Sequence, residues 1–182
     1  MKSFITVSLL AIAFLLPTFV KAQQPAAADK ITWYSLKEAT ELNAKKPKKI
    51  FIDVFTDWCG WCKKMDQSTF TDPVVIKFMN KYFYAVKLNA EQGDTIIYLG
   101  KTYINPNPKS SRSTHQLATT LLQGQLYYPS FVILDDKMAV ITKTMGYKEP
   151  KEVEPLLRYY GENAYKKKTY EVYMQTFKSE LN

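Results

Sequence analysis

Apolar and polar positions follow different periods along the chain, and the changes of period mark its elements. Residues 4–20 form an apolar run behind Lys2, interrupted by Pro17, and Val20-Lys21-Ala22 follows. The small side chains of Val20 and Ala22 fit a signal-peptidase site, so residues 1–22 are expected to be a secretory signal peptide. The competing reading is a membrane anchor, but the run lies near the lower length limit for a span and Pro17 breaks it. Residues 23–30, with Pro25 and three alanines, read as a flexible lead-in.

A first strand is expected over 31–35 and a helix over 36–45, stopped by Pro47. Residues 49–55, Lys-Ile-Phe-Ile-Asp-Val-Phe, are apolar at nearly every position. Such a run suits a strand covered on both faces. Good helix formers occupy 62–67. Asp72 suits an N-cap and Pro73 a first helical residue. Val74, Val75, Phe78, Met79 and Tyr82 then make a helical stripe, read as core packing. Residues 105–111 form a turn-rich loop, and 113–122 a helix begun by His115, whose expected place is the surface or a cap, with a substrate or acid–base role as the alternative. Residues 131–134 and 139–145 flank Asp135-Asp136-Lys137 as a hairpin. Residues 149–160 should close the domain as a helix. Beyond it, Tyr170, Tyr173, Phe177 and Leu181 keep helical spacing to 181. That tail is expected to pack on the parent domain, with a partner surface as the alternative.

The 182 residues allow one domain with a sizeable core. Hydrophobic content of 46% and charged content of 23% are globular values. The formal charge of +8 falls to +6 if Lys2 and Lys21 leave with the signal peptide. The excess lies partly in Lys45, Lys46, Lys48 and Lys49 and in Lys166, Lys167 and Lys168. No nucleic-acid motif accompanies these lysines, and export argues against such a partner.

The only two cysteines are Cys59 and Cys62, three positions apart. A structural bridge over so short a loop gains about 2 kcal/mol of chain entropy, less than a long-range one. A zinc site would need further ligands, and His115 is the only histidine. Redox chemistry is the favoured reading, with the structural bridge and the metal site as alternatives. The predicted strand–turn–helix order sets Cys59 near a helix N-terminus, where unpaired N–H groups and the helix dipole favour a thiolate. Cys62 falls on the same helix face.

The stretch Phe51-Ile52-Asp53-Val54-Phe55-Thr56-Asp57-Trp58-Cys59-Gly60-Trp61-Cys62-Lys63 resembles the strand, active-site loop and helix start of the thioredoxin family. Ala85-Val86-Lys87-Leu88-Asn89 resembles the family's third strand. Tyr127-Tyr128-Pro129-Ser130-Phe131-Val132-Ile133-Leu134 resembles its cis-proline segment. Coverage runs over 31–160. The run from Cys62-Lys63-Lys64-Met65 through Thr69-Phe70-Thr71-Asp72-Pro73-Val74-Val75 is similar to the C-terminal domain of periplasmic thiol:disulfide interchange reductases. The resemblance implies an α/β thioredoxin fold with a central mixed β-sheet flanked by helices. Residues 92–126 would then be an insert before the cis-proline strand, and 161–182 an added C-terminal helical extension. The dipeptide between the cysteines, Gly60-Trp61, departs from the usual Gly-Pro and bears on redox potential.

The resemblance further implies thiol–disulfide exchange. Cys59 would attack a substrate disulfide and Cys62 would resolve the mixed disulfide, so Cys62 is expected to be the more buried. Asp53 would sit at the family's buried acid and act as general base, with Lys87 as its partner; the alternative for the pair is a structural ion pair. Pro129 would be cis and present a backbone edge, letting a substrate strand pair with Tyr128. Trp58, Gly60 and Trp61 would form the substrate rim, Trp58 partly packed and Trp61 more exposed. No cofactor or metal is implied. The expected partners are protein disulfides and a separate, membrane-borne electron donor, in a periplasmic or similarly exported setting. An oxidase or isomerase of the same fold, and a non-catalytic binding module, are the competing functions.

Overall fold

The computed structural model describes residues 30–181. The expected signal peptide and nearly all of the lead-in lie outside them. The elements run β1 (Trp33–Tyr34), α1 (Leu36–Lys45), β2 (Lys49–Phe55), α2 (Gly60–Gln67), α3 (Pro73–Tyr82) and β3 (Phe83–Asn89). They continue with β4 (Ile96–Tyr98), β5 (Lys101–Tyr103), α4 (Gln116–Leu121), β6 (Ser130–Leu134), β7 (Val140–Met145), α5 (Pro150–Gly161) and α6 (Tyr170–Met174). A 3-10 turn, Thr69–Thr71, separates α2 from α3.

Five strands form one sheet in the order β1-β3-β2-β6-β7. β1 and β2 run parallel to β3, while β6 is antiparallel to both β2 and β7. The sheet is therefore mixed, as expected. Alternation along β2 sends Ile50, Ile52 and Val54 into a core shared with Leu36, Ala39, Leu117 and Leu121 from α1 and α4. Phe51 points the other way, into a core with Met65, Phe70, Phe78, Met79, Val153 and Leu157 from the α2, α3 and α5 side. Asp53 shares the face of Phe51 by the same alternation.

Local chemistry explains the boundaries. Ser35 and Glu38 form a capping box on α1, which shortens the first strand to Trp33–Tyr34 rather than 31–35. The Asp72 carboxylate accepts from the N–H groups of Val74 and Val75, and Pro73 opens α3.

The 92–126 segment holds more order than a loop. β4 and β5 make a small hairpin through Leu99 and Gly100, both at positive φ (50° and 74°). Glycine suits that turn, whereas leucine in the left-handed region is uncommon. His115 is fully buried, so only the capping half of its expected role describes it. Its Nδ1 accepts from the Leu117 N–H, which leaves Nε2 to donate to the Asp94 carbonyl. His115→Ala removes the cap and empties a buried site. The expected cost is about 2 kcal/mol, read as a lower urea midpoint at unchanged slope.

The tail turns back instead of continuing as a helix to 181. α6 ends at Met174, and Ser179 and the Glu180 N–H donate to the fully buried Glu154 carboxylate of α5. Arg158 pairs with the same carboxylate at 3.3 Å. A buried carboxylate needs such partners, and satisfying it outweighs the helical spacing of Phe177 and Leu181. The extension packs on the parent domain.

Candidate active site at the start of helix α2

The site is built where β2 gives way to α2. β2 ends at Phe55, a short turn follows in which the Cys59 N–H donates to the Thr56 carbonyl, and α2 begins at Gly60. Cys59 is the N-cap. Its Sγ accepts from the Cys62 N–H at 3.1 Å. Cys59 and Cys62 are joined by a disulfide, with Cα atoms 5.3 Å apart. Their exposures, 4% and 3%, are nearly equal, so Cys62 is not markedly the more buried. What separates them is position, since only the Cys59 sulfur occupies the capping site. No group of three or more potential metal ligands occurs among the described residues.

On the sheet beneath, Asp53 and Lys87 face each other in register across β2 and β3. Lys87 Nζ donates to Asp53 Oδ2 at 2.6 Å and also pairs with Asp66 of α2. Asp53 is buried, and its other oxygen, Oδ1, has no hydrogen-bond partner. Burial pushes the Asp53 carboxyl up from 3.8 to about 6, against the opposing pull of the Lys87 ammonium. The ammonium also lies over the rings of Trp33, Phe55 and Phe70, at 4.6, 5.3 and 5.1 Å from their centroids. Asp66 went unmarked in the sequence because an acid on an exposed helix turn ordinarily reads as solvated.

The rim is aromatic. The Tyr128–Pro129 peptide is cis, as the resemblance implied. Burial holds the Tyr128 phenol above its usual range. A cup of about 120 Å³ is lined by Trp61, Tyr127, Tyr128, Pro129 and Tyr147. Trp61 lies 5.4 Å from Tyr147 and Trp58 lies 6.0 Å from Tyr128, both as ring pairs. The two tryptophans are equally exposed, 55% for Trp58 and 57% for Trp61, so the expected difference between them is absent. Trp58 is nonetheless held in place. Its indole N–H donates to Glu91 at 2.9 Å, and the Arg112 guanidinium lies over its ring. A Cβ on Gly60 would meet nothing within 4 Å, so the position between Cys59 and Trp61 faces open space.

Glu91, Arg112, Tyr127 and Tyr147 are rim residues that sequence reasoning left without a role. Two of them owe their position to the insert. Asn105 Nδ2 donates to the carbonyls of Glu91, Gln92 and Ser113, tying together the segments that carry Glu91 and Arg112. A single asparagine in a turn-rich stretch gave no signal of that task.

Comparison with known proteins agrees with this fold. A family model named Thioredox_DsbH, described as a protein of unknown function, DUF255, matches residues 22–105. A thiol:disulfide interchange protein DsbD from Haemophilus ducreyi is 46% identical over 50 residues, covering 27% of this chain and 8% of that protein. The curated relatives are thus far longer than the segment that matches them. Among solved structures, a DsbH oxidoreductase superposes with a TM-score of 0.55 at 17% identity, covering 82% of this chain and 94% of its own. A thioredoxin from Thermus thermophilus gives 0.52 at 17% identity, with 71% and 85% covered. The chain has the thioredoxin fold, and a 50-residue stretch of it resembles part of DsbD.

Proposed function

We propose that this thioredoxin-fold chain is an exported thiol–disulfide oxidoreductase that reduces protein disulfides through Cys59 and Cys62. The observation that carries the reading is the Cys59–Cys62 pair at the head of α2, with the Cys59 sulfur receiving a helix N–H. That donor and the helix dipole stabilise a thiolate at Cys59 over one at Cys62. In the dithiol state the Cys59 thiolate attacks a substrate disulfide, a substrate thiolate leaves, and a mixed disulfide forms. Cys62, deprotonated, then attacks Cys59 Sγ, which frees the second substrate thiolate and closes the Cys59–Cys62 bond. Two electrons pass from the protein dithiol to the substrate.

Asp53 is the proposed proton acceptor for Cys62. A carboxyl held near 6 exchanges protons close to neutral pH, and its Oδ1 has no partner to give up. Lys87 is the proposed partner that keeps it from rising further. Tyr128 and Pro129 are proposed to receive the substrate backbone, with Trp58, Gly60 and Trp61 around it. Export is supported by the apolar pattern of residues 4–20 and the Val20-Lys21-Ala22 site, and it would set the pair in a compartment where disulfides form. Regeneration then calls for a separate electron donor, for which a membrane protein is proposed. No helix among the described residues is long and apolar enough to cross a membrane.

The test uses the chain reduced beforehand and freed of reductant, mixed with a disulfide-bonded protein such as insulin. The reading predicts one substrate disulfide reduced for each Cys59–Cys62 bridge formed. Chain thiols and substrate disulfides that both persist unchanged would refute it.

A further inference from the structure

We propose that the site selects disulfide-bearing segments that carry an apolar side chain for the Trp61 cup and a carboxylate beside it for Lys64. The inference rests on the oxidoreductase reading above and names the substrate chemistry that reading leaves open.

The cup is lined by Trp61, Tyr127, Tyr128, Pro129 and Tyr147, and its 120 Å³ is well below the volume of a typical small-molecule site. It suits a single side chain rather than a free ligand. It also opens beside the active-site bridge, because Trp61 stands between the two cysteines. An extended segment whose cysteine approaches Cys59 can therefore set a neighbouring side chain in it.

Lys64 fixes the charge that such a segment should carry. Its ammonium lies 4.8 Å from the centroid of Trp61 and 5.0 Å from that of Tyr147, so it overhangs the cup wall. Among the described residues Lys64 forms no salt bridge, and it is exposed. The acids of the same quarter are already engaged. Glu149 pairs with Lys151 at 2.9 Å, and Glu152 pairs with Lys148 at 3.5 Å. The hydrogen bond and charge of Lys151, with a smaller part from Lys64, hold the Glu149 carboxyl below the usual range. The quarter around Trp61 thus carries one cation, Lys64, that no acid pairs in a salt bridge.

The quarter around Trp58 differs. Arg112 lies over the indole, but Glu91 accepts the indole N–H and Asp57 accepts from Asn89, so acids offset the cation there. The preference for a carboxylate is accordingly one-sided and belongs to the Trp61 cup. Because Lys64 is exposed, its attraction is modest and sensitive to salt.

The probes are three disulfide-linked peptide dimers, each with leucine next to its cysteine, differing only in a flanking glutamate, glutamine or lysine. The readout is the second-order rate at which each oxidises the full, pre-reduced chain. The expected order is glutamate, then glutamine, then lysine. The extremes should differ about fivefold at low salt and converge in about 0.5 M salt. Lys64→Gln is expected to remove most of that ratio. Lys137→Gln makes the same charge change in the β6–β7 turn, at the far end of the sheet, and is expected to keep the ratio. Equal rates for the three peptides, a preference for lysine, or a ratio that survives Lys64→Gln would overturn the inference while leaving the oxidoreductase reading intact. No exchange with any peptide would overturn both.

Discussion

Cys62→Ser is expected to hold a substrate protein on Cys59 as a mixed disulfide, whereas Cys59→Ser should form no such adduct. Cys59→Ser should also lose about 10³-fold or more of its exchange rate. The asymmetry does not come from burial, since the two cysteines are 4% and 3% exposed. It comes from the α2 start. The Cys62 N–H points at the Cys59 sulfur, so negative charge at Cys59 is stabilised by a donor that Cys62 lacks. In Cys62→Ser that backbone donor remains, so attack proceeds while resolution is lost. Mass spectrometry of the trapped species locates the bond. Adducts of equal yield on Cys62 in the Cys59→Ser chain would show that the helix start does not select the nucleophile.

Asp53→Asn should make the protein more stable and less active, and the two effects have one cause. The carboxyl rises from 3.8 to about 6 because it is buried, with Lys87 compensating only in part. That rise amounts to about 3 kcal/mol of unfavourable ionisation above pH 6. Between about pH 4 and pH 6 the folded chain binds this proton and the unfolded chain does not, so stability from this group falls as pH rises through that window. The native Asp53 costs most at pH 8 and nothing below pH 4. Asp53→Asn should therefore gain about 2–3 kcal/mol at pH 8, and the gain should vanish near pH 4, in urea unfolding at each pH. Resolution of the mixed disulfide should slow by about 10²-fold with the loss of the proton acceptor. Unchanged resolution with increased stability would leave Asp53–Lys87 as a structural ion pair.

Much of the fold was legible because the informative segments satisfy local and tertiary demands together. β2 is apolar on both faces and is covered on both, so its pattern carried through unchanged. Asp72-Pro73 stop and start a helix by local chemistry alone, and α3 begins there. The β4–β5 hairpin was not legible, because its strands have three residues each and leucine fills a turn position that asparagine or glycine would announce. The tail misled for the opposite reason. Tyr170, Tyr173, Phe177 and Leu181 have helical spacing, but the buried Glu154 needs donors, and Ser179 and Glu180 leave the helix to supply them.

The site shows the same division. The cysteines were marked by their number and spacing, and Asp53, Lys87 and Pro129 by the resemblance; the structure brings Asp53 and Lys87 into contact. Asp66, Glu91, Arg112, Tyr127 and Tyr147 come from separate segments. They matter only through what they touch, namely Lys87, the indoles and the cup.

The equilibrium of the Cys59–Cys62 pair in glutathione buffers of graded potential tests the central claim most directly, with the thiols counted by mass after alkylation. A reductase predicts a single two-electron transition near thioredoxin's value, about −270 mV. A transition near −120 mV would make the pair an oxidant, and a bridge that resists reduction throughout would make it a structural crosslink; either result contradicts the account.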